Sequence, residues 1–409
     1  MRKVLWLSNF LFADSSSCSS GTWIESMGRG LCSTGQVDLH NITVGAVDRP
    51  TRADALGIKQ WILPVKPLIG KPPQSLPPMW YVNQIKGIVD SIAPDLIHVW
   101  GTERFWGILT ARKMLDYPAL LEMQGLTSAM SPYMTGCLSM SDQFRSIGLK
   151  ELLRPGTTMW ALQRQYQNSL DAEREIICGH HYIDYQSEWV RSHLIAYGAK
   201  AELFRVRMTL RPEFLSAIPR KDTAGNHTIF TSCGWSANKG VHILTRALKV
   251  LKASFPDVRL VIAGRFQTGI RQSGYARMVL SELKQSGLLN QVEILGAVDA
   301  ARLIDEMRKS AVVVIPSLVE SYSLSLAEAM AVGCPCVATY AGAMPEVGGD
   351  TCLYFPVGDV IQCAMRVAEL FADERDAAIL GKMARQRSVL MHSLPLALSR
   401  QMEVYTSVR

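Results

Sequence analysis

The stretch that decides the fold is IPSLVESYSLSLAEAMAVGCPCVATYAGAMPEVGG, residues 315–349. An apolar run ends at Pro316, a polar loop carrying Glu320 follows, and helix-forming residues begin near Ser325. A second apolar run, CPCVAT at residues 334–339, follows these helix-forming residues within the same stretch. A strand, a loop, a helix and a second strand in this order predict a βαβ unit of a parallel sheet.

The same alternation extends in both directions along the chain. Apolar runs that we interpret as strands occupy residues 4–10, 38–47, 96–100, 119–125, 175–181 and 203–208, and then 227–234, 258–264, 292–296, 311–317, 334–339 and 352–356. Segments with helical spacing of apolar residues separate many of these runs. The pattern predicts an α/β protein with two doubly wound, Rossmann-like domains.

We place the boundary between the two domains at IPRKDTAGNH, residues 218–227, where Pro, Gly, Asn and charges break the apolar period. The expected domains are then 1–217 and 228–385, with 386–409 as a helical segment that packs back on the first domain. Two such domains would face each other across a cleft at the carboxyl ends of their strands, where ligands of open sheets bind. The irregular segment 128–174 either meets the acceptor or a membrane, or simply covers the sheet with helices.

Composition limits the partners of the protein. The net charge is +7, but no run of basic residues marks a nucleic-acid arm, so we expect no nucleic-acid partner and instead phosphate ligands or an anionic membrane surface. No apolar run approaches the ~18 residues of a membrane span. Arg2 and Lys3 before an apolar segment imitate a signal peptide, but Ser8 and Asn9 interrupt it. We therefore expect a cytoplasmic protein, peripheral at the inner face of the membrane.

The sequence shows no metal motif. The nine cysteines form no paired CxxC sets, and His180 and His181 are adjacent, so on a strand their rings would point to opposite faces. We find no other cluster of Asp or His that would hold a divalent ion. The expectation is therefore no metal and no cofactor, with the substrates bound by the chain alone.

A phosphate site is predicted at two loops of the second half. The N–H groups of Ser323 and Leu324 lie at a helix start, where free donors and the helix dipole bind anions. Lys239 and Gly240 precede the helix VHILTRALKVL, where a cation is unfavourable unless an anionic ligand is bound. Gly240 would leave space for that ligand. In the alternative interpretation, Lys239 simply points to solvent.

Two carboxylates, Glu320 and Glu328, flank this predicted phosphate site in the sequence. Because they would repel phosphate, their expected targets are hydroxyl groups of the same ligand. A sugar and a ribose on either side of a diphosphate meet that requirement. Taken alone, however, Glu320 fits a solvated loop residue and Glu328 a carboxylate at a helix N-terminus equally well.

Together these motifs resemble family 4 of the retaining GT-B glycosyltransferases. The resemblance rests on the lysine-glycine turn, on the two glutamates separated by seven residues, and on AGAMPEVGG at 341–349; in the first half it rests on SGTWIESMGRGL (20–31), PDLIHVWGTE (94–103) and SEWVRSHLIAYGA (187–199). It implies the GT-B fold and metal-independent hexosyl transfer with retention. The donor, a nucleotide diphosphate sugar, would be a co-substrate, and the acceptor a saccharide or a lipid-linked saccharide of surface polysaccharide synthesis.

The resemblance also implies roles for single residues. Glu320 would contact the transferred sugar and Glu328 the ribose, while Lys239 and the amides of Ser323 and Leu324 would hold the diphosphate. The loop that ends at Val298 would lie against the base. In the first half, Gly21 and Thr22 would form the turn that approaches the phosphate and the acceptor.

Two positions depart from the family pattern. Gly234 stands where the family places an Arg beside the lysine, so that Arg207 or Arg211 would have to supply the charge. Gln124 stands where the family often has a His; it can donate a hydrogen bond but cannot act as a base. His98 either lines the acceptor side of the cleft or is buried and bonded to backbone.

The departures keep two other functions open. A non-catalytic nucleotide-sugar sensor or scaffold would bind the donor without turnover. A nucleotide-sugar epimerase of the same two-domain shape would retain the cleft but lack this arrangement of glutamates. A dehydrogenase fits least, because no GxGxxG follows the first apolar run.

Overall fold

The computed structural model describes residues 1–13, 22–70, 72–220 and 225–409. Its strands, in chain order, are β1 (Arg2–Leu7), β2 (Val37–Gly45), β3 (Thr51–Arg52), β4 (Lys59–Pro64), β5 (Leu96–Trp100), β6 (Ala119–Glu122), β7 (Tyr182–Tyr185), β8 (Glu202–Arg205), β9 (Thr228–Ser232), β10 (Arg259–Ala263), β11 (Val292–Gly296), β12 (Val312–Ile315), β13 (Cys336–Thr339) and β14 (Leu353–Phe355).

The α-helices follow the strands in the expected alternation. They are α1 (Thr22–Ser33), α2 (Met79–Ile92), α3 (Trp106–Ala111), α4 (Thr127–Met130), α5 (Met140–Arg145), α6 (Leu149–Leu153), α7 (Met159–Gln167), α8 (Leu170–Cys178), α9 (Glu188–Ala196), α10 (Pro212–Leu215), α11 (Val241–Leu251), α12 (Gly274–Gln285), α13 (Ala300–Lys309), α14 (Leu324–Val332), α15 (Met344–Gly348), α16 (Val360–Ala372), α17 (Glu374–Met391) and α18 (Leu394–Ser407).

The chain forms two compact units that differ from the predicted domains. Unit 1 comprises residues 1–129, 168–211 and 392–409, and unit 2 comprises 130–167 and 212–391. The last helix thus belongs to unit 1, and α18 packs against α1. The segment 130–167, which the sequence interpretation assigned to the first domain, belongs to unit 2.

Polar contacts explain why segment 130–167 joins unit 2. The guanidinium of Arg246, in α11, lies 2.9 Å from Asp142 of α5 and 2.8 Å from Glu282 of α12. Glu151 of α6 accepts hydrogen bonds from its own N-cap amide, Gly148, and from the amide of Gly274. Helices α5 and α6 are therefore anchored to α11 and α12 by buried or half-buried charges.

The sheet of unit 1 has the strand order β3-β4-β2-β1-β5-β6-β7-β8, and its strands pair in parallel except β3, which is antiparallel to β4. Strands β3 and β4 were not predicted. Residues 175–181, predicted as a strand, instead end α8, and β7 begins only at Tyr182. The reason is that Ile176 and Ile177 bury their side chains from a helix, so their apolar run does not mark a strand.

The two faces of this sheet have different chemistry. On one face Leu5, Val99, Leu121 and Ile183 join one hydrophobic core. Because side chains alternate along a strand, Trp6, His98, Glu122 and Asp184 lie on the opposite face.

The sheet of unit 2 has the strand order β11-β10-β9-β12-β13-β14, with every pair parallel. Its helices begin where the sequence supplies a cap: Asp299 accepts the amide of Arg302 at α13, and Asp359 accepts that of Gln362 at α16. One hydrophobic core joins apolar residues of α11 to those on one face of β9, β10 and β12, among them Ile229, Ile262 and Val314. This packing fixes the loops that leave the carboxyl ends of the strands.

Candidate functional site

The candidate site of unit 2 lies at the point where the strand order of its sheet reverses. Strand β9 has β10 on one side and β12 on the other, so the connections after β9 and β12 leave in opposite directions. Ligands of open parallel sheets bind at such a point, outside the carboxyl ends of the strands. The loop after β9 carries Lys239, and the loop after β12 carries Glu320.

Lys239 and Glu320 form an ion pair, with 2.6 Å between the lysine Nζ and the glutamate Oε1. Burial lowers the pKa of the Lys239 ammonium, but the charge and hydrogen bond of Glu320 outweigh it, and the pKa is raised. Tyr166 of α7 adds a smaller contribution in the same direction. The structure therefore holds a permanent cation at this edge of the sheet.

Backbone contacts hold the two loops in register. The amide of Leu318 donates a 2.8 Å hydrogen bond to the carbonyl of Asn238. Gly240 has a φ of +72°, and a Cβ there would lie 2.0 Å from the carbonyl oxygen of Pro316. The Cβ side of Gly240 is thus occupied by the protein itself, and this contact explains a glycine at the position.

The start of α14 has no side-chain cap. Its N-cap residue, Ser323, has a φ of +85° and accepts no amide through its side chain. The Ser323 hydroxyl is buried, and within the described residues it has no hydrogen-bond partner. The first N–H groups of the helix, beginning with Leu324, are left for an external acceptor. A left-handed serine costs of order 1–3 kcal/mol and often marks a functional site.

Glu328 lies inside α14 and is only 6% exposed, whereas the side chain of Glu320 is 16% exposed. Glu328 is therefore an inward-facing helix residue and not a solvated one. The main chain of Glu320 is fixed from the other side, because its carbonyl accepts a 2.9 Å hydrogen bond from Ala343. A Cβ on Gly342 would come within 2.1 Å of the same carbonyl, which explains a glycine at this position.

The remaining donor-side residues are Val298 and Gly234, which follow different strands of the sheet. Val298 follows β11, an edge strand that β10 separates from β9. Gly234 directly follows the β9 strand region, and a Cβ at this position would meet nothing within 4 Å. Its neighbour Trp235 packs on Phe266 at 4.7 Å between ring centroids, with its indole nitrogen buried and unpartnered among the described residues. Sequence reasoning assigned no role to Trp235.

In unit 1, Gln124 follows β6, and a carboxyl group that the sequence interpretation missed lies beside it. A Cβ on Gly101 would contact both Glu103 and Gln124, and the Glu103 carboxylate accepts a 2.8 Å hydrogen bond from the amide of Gly125. Burial raises the pKa of Glu103 to about 7, against hydrogen bonds that lower it. The only sequence signal was its position directly after a strand, in PDLIHVWGTE.

The other residues predicted on the acceptor side are Gly21, Thr22 and His98. Gly21 lies outside the described residues, and for Thr22 only its backbone, at the start of α1, is described. His98 is fully buried within β5, so its placement on the acceptor side is wrong. His98, Glu122 and Asp184 bring their ligating atoms within 4.8 Å of one another, a grouping that the sequence alone did not reveal.

Comparison with known proteins bears on the part of the chain that carries the Lys239 and Glu320 loops. Residues 221–387 match the family described as glycosyl transferases group 1. The matched region contains the lysine turn, both glutamates and the uncapped helix start of α14.

Two curated relatives extend the similarity. The chain is 28% identical over 216 residues to the MMP alpha-(1→4)-mannosyltransferase of Mycolicibacterium hassiacum, which covers 52% of this chain and 47% of that protein. It is 30% identical over 199 residues to the phosphatidyl-myo-inositol mannosyltransferase of Mycolicibacterium smegmatis, covering 47% of each. The matched stretch is about half the length of these relatives.

The fold is GT-B. The Anabaena protein HepE, solved in complex with UDP-glucose, superimposes with a TM-score of 0.72 over 100% of both chains, at 16% identity. This likeness shows that both Rossmann-like units are shared. No helix in the described ranges is both long enough and apolar enough to cross a bilayer.

Proposed function

We propose that the protein is a retaining, metal-independent glycosyltransferase that moves a hexosyl group from a nucleotide diphosphate sugar to a hydroxyl acceptor. The observation that carries this proposal is the Lys239–Glu320 ion pair at the point of strand reversal. It combines one cation for a phosphate with one carboxylate for a sugar hydroxyl, as a nucleotide sugar requires. The group 1 domain match supports the same reaction class.

In this proposal the donor diphosphate binds between Lys239 and the start of α14. The unsatisfied N–H groups after Ser323 and the helix dipole favour its negative charge. Glu320 then accepts hydrogen bonds from the transferred sugar, and the inward-facing Glu328 accepts them from the ribose. The complex of HepE with UDP-glucose supports a donor of this chemical class.

Catalysis would act through the leaving phosphate. When the glycosidic bond breaks, negative charge grows on the diphosphate, so Lys239 and the α14 amides stabilise the transition state more than the ground state. A leaving phosphate oxygen that takes the proton of the attacking hydroxyl on the same face of the sugar gives retention. Gln124 would then orient the acceptor by donating a hydrogen bond and would not need to act as a base.

Gly234 favours a second function, that of a nucleotide-sugar sensor, because the family pattern has an Arg at this position and the site therefore has one cation fewer. A nucleotide-sugar sensor would bind the donor at Lys239 without transferring the sugar. The two functions differ in turnover, since a transferase slowly releases free nucleotide from the donor even without an acceptor, whereas a sensor does not.

The test begins with a panel of nucleotide diphosphate sugars, with UDP- and GDP-linked hexoses included. The sugar nucleotide that the protein uses as donor should raise the midpoint temperature of thermal unfolding, and the increase should grow with its concentration. With that donor, free nucleotide should appear, and NMR of the glycoside formed on a saccharide or lipid-linked acceptor should show the donor's anomeric configuration. An inverted product would refute retention, and stabilisation without any nucleotide release would favour the sensor.

We also propose that unit 2 binds an anionic membrane surface, as a peripheral enzyme at the cytoplasmic face would. Leu152 and Leu153 of α6 are each 69% exposed, and Ile270, in the neighbouring turn, is 72% exposed. Arg154 and Arg271 are exposed on the same segments. Apolar side chains flanked by cations suit the headgroup region of anionic lipid. A phosphatidyl-myo-inositol mannosyltransferase among the relatives is consistent with a lipid-linked acceptor.

Vesicle sedimentation tests this surface. Phosphatidylglycerol vesicles should pellet the protein, and phosphatidylcholine vesicles should not. The double substitution of Leu152→Glu and Leu153→Glu should abolish binding, whereas Ile361→Glu, at a residue 55% exposed on α16, should leave it intact. Equal binding by all three proteins would contradict the assignment.

A further inference from the structure

Three polar side chains occupy neighbouring strands on one face of the unit 1 sheet. Glu122 of β6 pairs in register with Asp184 of β7, and His98 lies in β5, two residues before Trp100, the register partner of Glu122. The exposed fractions of His98, Glu122 and Asp184 are 0%, 2% and 0%. Such a group has no role in the donor site of unit 2 and needs its own explanation.

The distances within the group do not suit hydrogen bonds. His98 Nε2 lies 3.3 Å from a Glu122 oxygen and 3.9 Å from an Asp184 oxygen. Hydrogen bonds between such atoms are usually about 2.5–3.2 Å long. Ligand atoms about 2.0–2.1 Å from a tetrahedral zinc ion are instead separated from one another by about 3.4 Å. The spacing therefore suits three ligands that share one ion.

The polar atoms pointing into the group lack other partners. Among the described residues, no hydrogen bond engages His98 Nε2, Glu122 Oε2, either oxygen of Asp184, or the side-chain amide of Gln401. Gln401, in α18, lies beside Asp184, although no pair of atoms between them has hydrogen-bond geometry. When both carboxylates are ionised, most of these atoms are acceptors, so they cannot satisfy one another.

Surrounding residues hold the candidate ligands in orientation. The Tyr405 hydroxyl lies 2.8 Å from His98 Nδ1, which directs Nε2 towards the carboxylates. Gln186 donates a 3.0 Å hydrogen bond to Glu122 Oε1, which leaves Oε2 facing His98. Partners of this kind, which fix the unligated atom of a His or carboxylate, surround metal sites in proteins.

The charges point to a divalent ion. Two ionised carboxylates in a fully buried site carry two negative charges, which are costly to bury without compensation. A divalent cation neutralises both and leaves the imidazole uncharged. A mixed imidazole and carboxylate set suits zinc better than magnesium or calcium.

We infer that His98, Glu122 and Asp184 bind one structural zinc-type divalent ion in unit 1, with the amide oxygen of Gln401 as the fourth ligand. Gln401 and Tyr405 are one turn apart on α18, so the ion joins the last helix of the chain to strands β5, β6 and β7. The site is separate from the proposed transfer reaction, which needs no metal. Because the site is fully buried, the ion must enter during folding.

The test measures metal content in the full-length protein. Wild type, Glu122→Gln, Asp184→Asn and a control, His181→Gln at an exposed histidine, are expressed in zinc-supplemented medium and purified without chelator. After dialysis against a weak chelator that strips surface ions, plasma mass spectrometry should find about one zinc per chain in wild type and in the control. Both amide variants should hold at least about tenfold less.

Cobalt provides a second measurement that does not depend on the variants folding. Wild type refolded from denaturant with Co²⁺ should show the visible absorption of tetrahedral cobalt, and metal-free protein should exchange the amide hydrogens of α18 faster than loaded protein. Wild type without a retained stoichiometric metal would overturn the inference. So would amide variants that retain as much zinc as wild type.

Discussion

Replacing Lys239 with alanine tests the central feature of the proposed donor site. The change removes the cation that pairs with Glu320 at the carboxyl ends of β9 and β12. Turnover at saturating donor should fall by a factor of ~100 or more, because the leaving diphosphate loses a charge that stabilises it in the transition state.

The magnitude follows from the position of the ammonium. Two unit charges about 4 Å apart interact by about 4 kcal/mol at an effective dielectric constant near 20. The side chain of Lys239 is 30% exposed, so solvent screens part of this attraction. A remaining loss of about 3 kcal/mol corresponds to roughly a hundredfold change in rate.

The assay follows nucleotide release from the donor identified by thermal stabilisation, with and without acceptor. Lys249→Ala, which removes an exposed lysine of α11, is the matched control and should keep full turnover. Lys239→Ala combined with Glu320→Gln separates the lost cation from the effect of a carboxylate left without its partner. Near-normal turnover of Lys239→Ala at saturating donor, with the fold intact by circular dichroism, would refute the proposed role of Lys239.

Substitutions at three further positions test other parts of the two units. Gly234→Arg should fit without strain, because nothing lies within 4 Å of a Cβ at this position. The new arginine should lower the donor KM by supplying a second cation, and an unchanged KM would show that position 234 does not face the donor phosphates. Ser323→Gly should raise the free energy of unfolding in urea titrations by about 1 kcal/mol more than Ser323→Ala, because both changes remove the buried, unpartnered hydroxyl but only glycine tolerates a φ of +85°. Equal effects of the two changes would disprove the strain. Burial raises the pKa of Glu103 from 4.5 to about 7. Between these pH values the native state keeps a proton that the unfolded state releases, so the free energy of unfolding should fall as pH rises from about 4.5 to 7. Glu103→Gln should flatten that part of the urea-midpoint profile, and an unchanged slope would show that Glu103 is ionised in the native protein.

Local chemistry explains which elements were predictable. Buried parallel strands are short apolar runs between turn residues, and β5, which is buried along its whole length, occupies the predicted residues. The partly exposed edge strand β11 also occupies the predicted residues. The apolar run at 175–181 was wrongly predicted as a strand, because Ile176 and Ile177 lie on the buried face of α8 and are as apolar as strand residues. Short apolar segments do not distinguish the two structures by periodicity alone.

The sequence by itself determined the alternation of strands and helices in both halves and the motif that places Lys239 and Glu320 after their strands. It did so because these depend on neighbours close in the chain and on the rule that parallel strands present their carboxyl ends together. The ion pair itself follows from β9 and β12 being adjacent, which the motif suggested but only the strand order established.

Only the tertiary structure decided the features built from distant segments. Segment 130–167 joins unit 2 through charges on α11 and α12, and the spacing of apolar residues cannot show such contacts. Gly240 proved to be a packing residue because Pro316, far along the chain, occupies its space. His98, Glu122 and Asp184 are separated by dozens of residues, and they converge because β5, β6 and β7 are neighbours and α18 covers them. Side-chain convergence across strands depends on register and on the covering helix, and a single sequence encodes neither in any local pattern.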